Sequence, residues 1–147
     1  MDWSLVFSGV NLFAMVAWAA LILLPRWHAL LSALLYLGAG LLCLVYALIL
    51  AALMTGFAAG SDGGNFTSIE GVRVLFSSDA GLTLGWTHYL AFDLFVGLWI
   101  ARDGDGKGIS RFVQAPILLA TFLVGPVGLL VWLILREPAA RRQGRPS

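Results

Sequence analysis

Residues 82–100 read LTLGWTHYLAFDLFVGLWI, an apolar run interrupted by a single carboxylate, Asp93. A hydrocarbon core about 30 Å thick is crossed by about 20 apolar residues in a helix, and a mid-membrane Asp costs about 2.5–3.5 kcal/mol on insertion scales. The run therefore predicts a membrane helix that retains one expensive group. Outward from it the pattern recurs: residues 5–24 and 29–57 carry no charge, and residues 112–135 form a fourth run containing Pro126. The first run stops at Pro25-Arg26-Trp27-His28, where proline breaks a helix and amphipathic side chains suit the interface, so His28 reads as an anchor. The second stops at Ser61-Asp62-Gly63-Gly64-Asn65, a loop signal. Ile69, Val72 and Phe76 then recur at helical spacing with Glu70 and Arg73 off the stripe, which predicts a short interfacial helix in the second loop.

Composition agrees with this reading. The 147 residues are 60% hydrophobic and 12% charged, with a mean hydropathy of +0.90, whereas a soluble domain carries about 25% charged residues. The expected fold class is an all-α membrane protein, four transmembrane helices in one bundle. Residues 1–137 would form that single domain and residues 138–147 a basic, disordered tail. A separate soluble catalytic domain is excluded. Nine basic against eight acidic residues leave no polybasic surface, so membrane lipids, and not nucleic acid, are the expected surroundings. Cys43, a lone cysteine in an apolar run, forms no internal disulfide. The N-terminus lacks the basic segment of a signal peptide, and a bacterial inner membrane is the simplest location. Four crossings would put both termini on one side; the basic residues then divide five against four, which does not orient the bundle, and the compact basic cluster of the tail favours cytoplasmic termini.

The costly polar groups narrow the function. At 100° per residue, Trp86, Tyr89, Asp93 and Gly97 share about one quarter of their helix, while His88 shares a different face with Phe92, Phe95 and Trp99. Asp93 is too short to reach an interface, so it faces the bundle interior, holds a proton or has a partner. Two readings stay open: Asp93 and His88 as polar glue between helices, or as a proton-transfer site. Asn11, on one stripe with Met15, Trp18 and Ile22, is a candidate partner for Asp93. Gly125-Pro126-Val127-Gly128 predicts a kink that frees the Phe122 carbonyl and opens a groove for an elongated apolar molecule. Arg102 and Arg111 bracket the Asp103–Gly108 connection, where they meet salt-bridge partners, lipid headgroups or the polar end of a ligand. That connection fails as a calcium loop, because Lys107 and Gln114 occupy ligand positions. Two histidines and no closely spaced ligand set leave no metal site and no evident cofactor.

The run Trp86-Thr87-His88-Tyr89-Leu90-Ala91-Phe92-Asp93-Leu94-Phe95-Val96-Gly97 resembles the central signature of the ABA DEFICIENT 4-like family, W-x-H-x-L-A-x-D-L-F followed by a small residue. Leu24-Pro25-Arg26-Trp27, Leu75-Phe76 and Gly125-Pro126-Val127-Gly128 agree with it in order along nearly the whole chain. Where plant members carry a His-Ser pair at the start of the fourth helix, this chain has Gln114-Ala115-Pro116. Plant members are required for neoxanthin formation from violaxanthin, so the resemblance implies a carotenoid-related membrane protein. It further implies acid/base isomerisation with His88 and Asp93 as catalytic candidates. Asn11, Trp18, Trp86, Tyr89, Trp99, Arg102, Arg111 and Pro126 are the candidates for contact with a lipophilic carotenoid or isoprenoid. The competing readings are a non-catalytic carotenoid or isoprenoid binder serving a partner enzyme, and an oxidative carotenoid cleavage. A homo-oligomer is compatible with each.

Overall fold

The structure is a computed structural model that describes residues 2–61 and 63–143. Among the described residues all regular structure is helical: α1 (Trp3–Leu23), α2 (His28–Met54), α3 (Ile69–Leu75), α4 (Asp79–Gly106) and α5 (Arg111–Gln143). All but α3 are long and apolar enough to cross a membrane, as expected. The helix limits follow local chemistry. The Asp2 carboxylate accepts from the Leu5 N–H at 3.1 Å, and Leu24 is extended ahead of Pro25. Ser68 and Ser78 cap α3 and α4 by accepting from the N–H groups of Gly71 and Gly81. Residues 107–110 connect α4 to α5, with Gly108 at φ +66°, a left-handed conformation that glycine adopts without steric cost.

Helix α2 contains a π-helical stretch, Leu34–Ala39. Such a stretch adds a residue per turn and rotates the faces on either side of it. Here it brings Leu34, Gly38 and Ala39 into the core, where Gly38 lets the Leu94 side chain approach its backbone. Trp18, Leu21, Leu42, Leu94, Leu98, Leu118 and Trp132 complete that core. On the outside, Leu12, Val16, Leu44, Leu48, Phe95, Leu130 and Ile134 are exposed. In water this would be an aggregating surface; in hydrocarbon it is the surface a membrane helix presents.

Helix α5 departs from a straight rod. As one rod it would hold Arg136 about 37 Å from Arg111. Instead Arg136 donates to the Asp103 carboxylate at 2.7 and 2.9 Å, and Trp132 Nε1 donates to the same carboxylate at 3.1 Å. Asp103 stands at the end of α4 that leads into Arg111, so the second part of α5 returns to where the first began. The reversal is at Val124, whose φ of −144° and ψ of 51° are non-helical. Gly128 then lies so close against Thr121 that a Cβ would overlap the threonine backbone. The kink expected at Gly125-Pro126 is thus a helical hairpin. Pro126 sits in the first turn of the returning arm, where a missing N–H costs nothing, rather than inside a continuous helix where it would free the Phe122 carbonyl.

Two further expectations change with the hairpin. The chain starts at the end of the bundle marked by Asp79 and finishes at the end marked by Arg26, so the termini do not share a side. The last helix also continues through Gln143, with Arg141 paired to Glu137 at 2.8 Å, where a disordered tail was expected from residue 138; residues 144–147 of that tail lie outside the described residues.

Candidate active site

Helices α1 and α4 run parallel, and their register decides which polar groups meet. Trp18 lies against Gly97, where a Cβ would overlap the indole ring. About three turns towards the Asp79 end, Phe7 stacks on Trp86 with ring centroids 5.9 Å apart, and Trp86 stacks on Tyr89 at 5.2 Å. Trp86 Nε1 donates to Asn11 Oδ1 at 2.9 Å, and Asn11 Nδ2 donates to the Phe7 carbonyl at 2.7 Å. Asn11 is therefore committed to Trp86, which corrects the expected Asn11–Asp93 bond. With Trp18 opposite Gly97, Asp93 is level with Ala14, and Asn11 lies about a turn short of it. Phe7 also lines a recess of ≈ 250 Å³ at the Asp79 end, shared with Trp3, Ser8, Asp79 and Thr83.

Asp93 stands at the bottom of this aromatic ladder. Along α4 it is about 15 Å from Asp103 and about 21 Å from Asp79, near the middle of a hydrocarbon core. The tip of the α5 hairpin meets it there. A Cβ on Gly125 would overlap the Asp93 carboxylate, so the glycine is what admits the acid to this position. Tyr89 donates to the Leu123 carbonyl at 3.3 Å and lies beside Asp93. That bond satisfies one of the carbonyls released by the reversal. Asp93 Oδ2 is buried and has no hydrogen-bond partner among the described residues; the same holds for Trp18 Nε1, on the facing helix. Buried polar atoms are nearly always paired, so an acceptor and a donor without partners among the described residues set this level of the bundle apart from its apolar surroundings. Beyond the tip, towards the Asp79 end, α5 supplies no wall, and Trp86 is 38% exposed. The face of α4 from Thr83 to Asp93, about 15 Å long, thus carries the Phe7–Trp86–Tyr89 ring stack between the recess at Thr83 and the Asp93 carboxyl.

The remaining candidates lie elsewhere. His88 is exposed on the α2 side of α4, stacked on Phe92 at 4.5 Å with Tyr46 at 5.7 Å, on a face that does not include Asp93. The helical-face argument anticipated this separation, and the geometry brings Tyr89, not His88, to the carboxyl. Trp18 and Pro126 border the site through Gly97 and the hairpin tip. Trp99 lies at the Arg26 end with the Arg136 guanidinium 5.3 Å above its ring. Arg111 donates to the Leu24 carbonyl at 2.5 Å and Arg102 to the Leu31 carbonyl at 3.4 Å, so both tie helix ends together at the Arg26 end, away from Asp93.

That end carries a polar network that sequence reasoning missed. Asp103 gathers Arg136, Trp132 and, at 2.5 Å, Lys107. Arg26, its side chain 3% exposed, donates to Asp105 at 3.0 Å and to Gln114, and Gln114 donates to Asp105 at 3.1 Å. Burial lowers the proton affinity of Arg26 while Asp105 opposes the shift. The signal that could have revealed this network was the Gly-Pro-Val-Gly break in mid-run, read as a reversal. The described residues contain no group of three or more His, Cys, Asp or Glu side chains able to hold a metal.

The family model described as ABA DEFICIENT 4-like matches residues 5–132, which includes both Asp93 and the hairpin tip. No curated protein and no solved structure matches the chain. With a multi-pass membrane architecture and a match over most of its length, the chain belongs to the ABA DEFICIENT 4-like family.

Proposed function

We propose that this protein is a membrane-embedded carotenoid-modifying isomerase, acting on a xanthophyll end-group by acid/base chemistry at Asp93. The observation that carries the reading is the buried Asp93 Oδ2, without a hydrogen-bond partner among the described residues, at the foot of the Phe7–Trp86–Tyr89 ring stack. Aromatic rings along about 15 Å suit a polyene, and a proton-bearing carboxyl suits its polar ring. For an epoxidised end-group the steps balance with one group. Protonated Asp93 gives its proton to the epoxide oxygen as the C–O bond breaks, leaving a hydroxyl. The resulting carboxylate removes a proton from the polyene, whose C–H electrons form the allene, and Asp93 is protonated again. No oxidant is consumed. General acid/base catalysis of this type contributes about 10²–10⁴-fold. Tyr89 is a positioning residue, holding the carboxyl through its place between Asp93 and the Leu123 carbonyl. His88 has no part in these steps.

The test is coexpression in a bacterial inner membrane, the setting proposed for this chain, with enzymes that make defined epoxy-xanthophylls. A new pigment of unchanged mass, lost with Asp93→Asn and reduced with Tyr89→Phe, supports the isomerase. Unchanged pigments that copurify with the protein support a non-catalytic binder, and shortened products support oxidative cleavage; either outcome ends the isomerase reading.

A further inference from the structure

The hairpin changes which basic residues share an end of the bundle. The Arg26 end holds Arg26, Arg102, Lys107 and Arg111 through their contacts there, and Arg136 through Asp103. Arg141 and Arg142 follow in the last turn of the returning arm. Among the described residues Arg73 alone lies at the Asp79 end, which also carries Asp2, Glu70 and Asp79. Seven against one replaces the near balance that four straight crossings give. Lysine and arginine close to membrane helices are retained on the cytoplasmic side. Non-helical backbone at membrane depth is tolerated where protein satisfies it, and the reversal is pinned by the Tyr89 hydroxyl on the Leu123 carbonyl and by Gly125 against the Asp93 carboxylate, with Val124 exposed at its tip. The first arm, residues 111–123, is about 20 Å long, shorter than the roughly 30 Å of a hydrocarbon core.

We infer that α5 is a re-entrant hairpin that enters and leaves the membrane on the cytoplasmic face, with the N-terminus outside and the recess beside Trp3 and Phe7 opening to the opposite leaflet. The topology stands independently of the proposed reaction. Resting on that reading, it adds that the lipophilic substrate is drawn from the extracytoplasmic leaflet, past Trp3 and Phe7, and meets Asp93 from that side.

The experiment uses the full chain in a Cys43→Ala background with single cysteines at Ser4, Ser110 or Ala140, probed in intact cells with a membrane-impermeant maleimide. Ser4→Cys is expected to react in intact cells, and Ser110→Cys and Ala140→Cys only after permeabilisation. Reaction of Ser110→Cys and Ala140→Cys from opposite sides overturns the hairpin, and reaction of both in intact cells overturns the orientation. Fusions of the unsubstituted chain guard against misfolded cysteine variants: a fluorescent protein at the C-terminus should fluoresce, and alkaline phosphatase at the N-terminus should be active. A dark C-terminal fusion or an inactive N-terminal one overturns the assignment. No carotenoid enters these measurements, so their failure is distinct from failure of the isomerase reading.

Discussion

The two ends of this bundle are built on opposite principles. At the Arg26 end every helix terminus is tied by charge: Asp103 to Arg136 and Lys107, Arg26 to Asp105 and Gln114, Arg111 to the last carbonyls of α1. Towards the Asp79 end the contacts between α1 and α4 are rings, Phe7 on Trp86 on Tyr89, with one side-chain hydrogen bond from Trp86 to Asn11. Ionic ties need fixed geometry and hold the hairpin arms at one end. The ring-lined end is where the proposed apolar substrate would enter. Asp93, the acid to which the proposed chemistry is assigned, stands between the two ends.

This contrast can be broken in order of effect. The largest is Asp93→Asn: conversion of an epoxy-xanthophyll should fall about 10²–10⁴-fold, while thermal unfolding in detergent shifts by no more than about 1 kcal/mol, because the amide keeps the shape and the position lacks an ionic partner. A large loss of stability would make Asp93 structural glue instead. Next is Asp103→Ala, which strands Arg136, Lys107 and the Trp132 N–H. Breaking a fully buried pair costs about 3–5 kcal/mol, and with the Arg136 side chain 23% exposed a loss of about 2–3 kcal/mol is expected. Stability within a few tenths of wild type would remove the ionic end from the account.

Smaller effects sharpen the boundary. Gly125→Ala forces a Cβ into the Asp93 carboxylate and should cost about 1–3 kcal/mol with a parallel fall in conversion. Its readout is the pair of measurements together, since an alanine tolerated in both would mean that the hairpin tip does not press on the acid. Smallest is Asn11→Ala, which deletes one interhelical hydrogen bond worth about 0.6–2 kcal/mol and should leave conversion measurable. Abolished conversion with an intact fold would instead give Asn11 a direct role with the substrate.

Much of the fold was legible because hydrocarbon is an exacting solvent. Uncharged runs gave the helices, and the angular pattern of Trp86, Tyr89, Asp93 and Gly97 gave the face that meets α1 and α5. His88 was separable from Asp93 on the same grounds. What periodicity does not carry is the register between helices, and so Asn11 was paired with Asp93 when its partner is Trp86, nearer the Asp79 end. Nor does a hydropathy run distinguish a crossing from a reversal. Residues 112–135 are apolar in either case, since both arms face lipid and core, and only the dihedrals at Val124 and the close approach of Gly128 to Thr121 separate the two. The Asp103 network was hidden by that ambiguity, because a straight helix places Arg136 at the wrong end.

The folded-back α5 organises the whole bundle, since it brings Gly125 to Asp93, Arg136 to Asp103 and both ends of the helix to one end of the bundle. It is tested most directly by the distance between spin labels at Ser110→Cys and Arg141→Cys in the Cys43→Ala background, measured by pulsed electron resonance in lipid. The hairpin predicts a separation below about 30 Å, from the bonded Asp103–Arg136 pair and the short segments leading away from it. A separation near the about 46 Å of a continuous helix would contradict it.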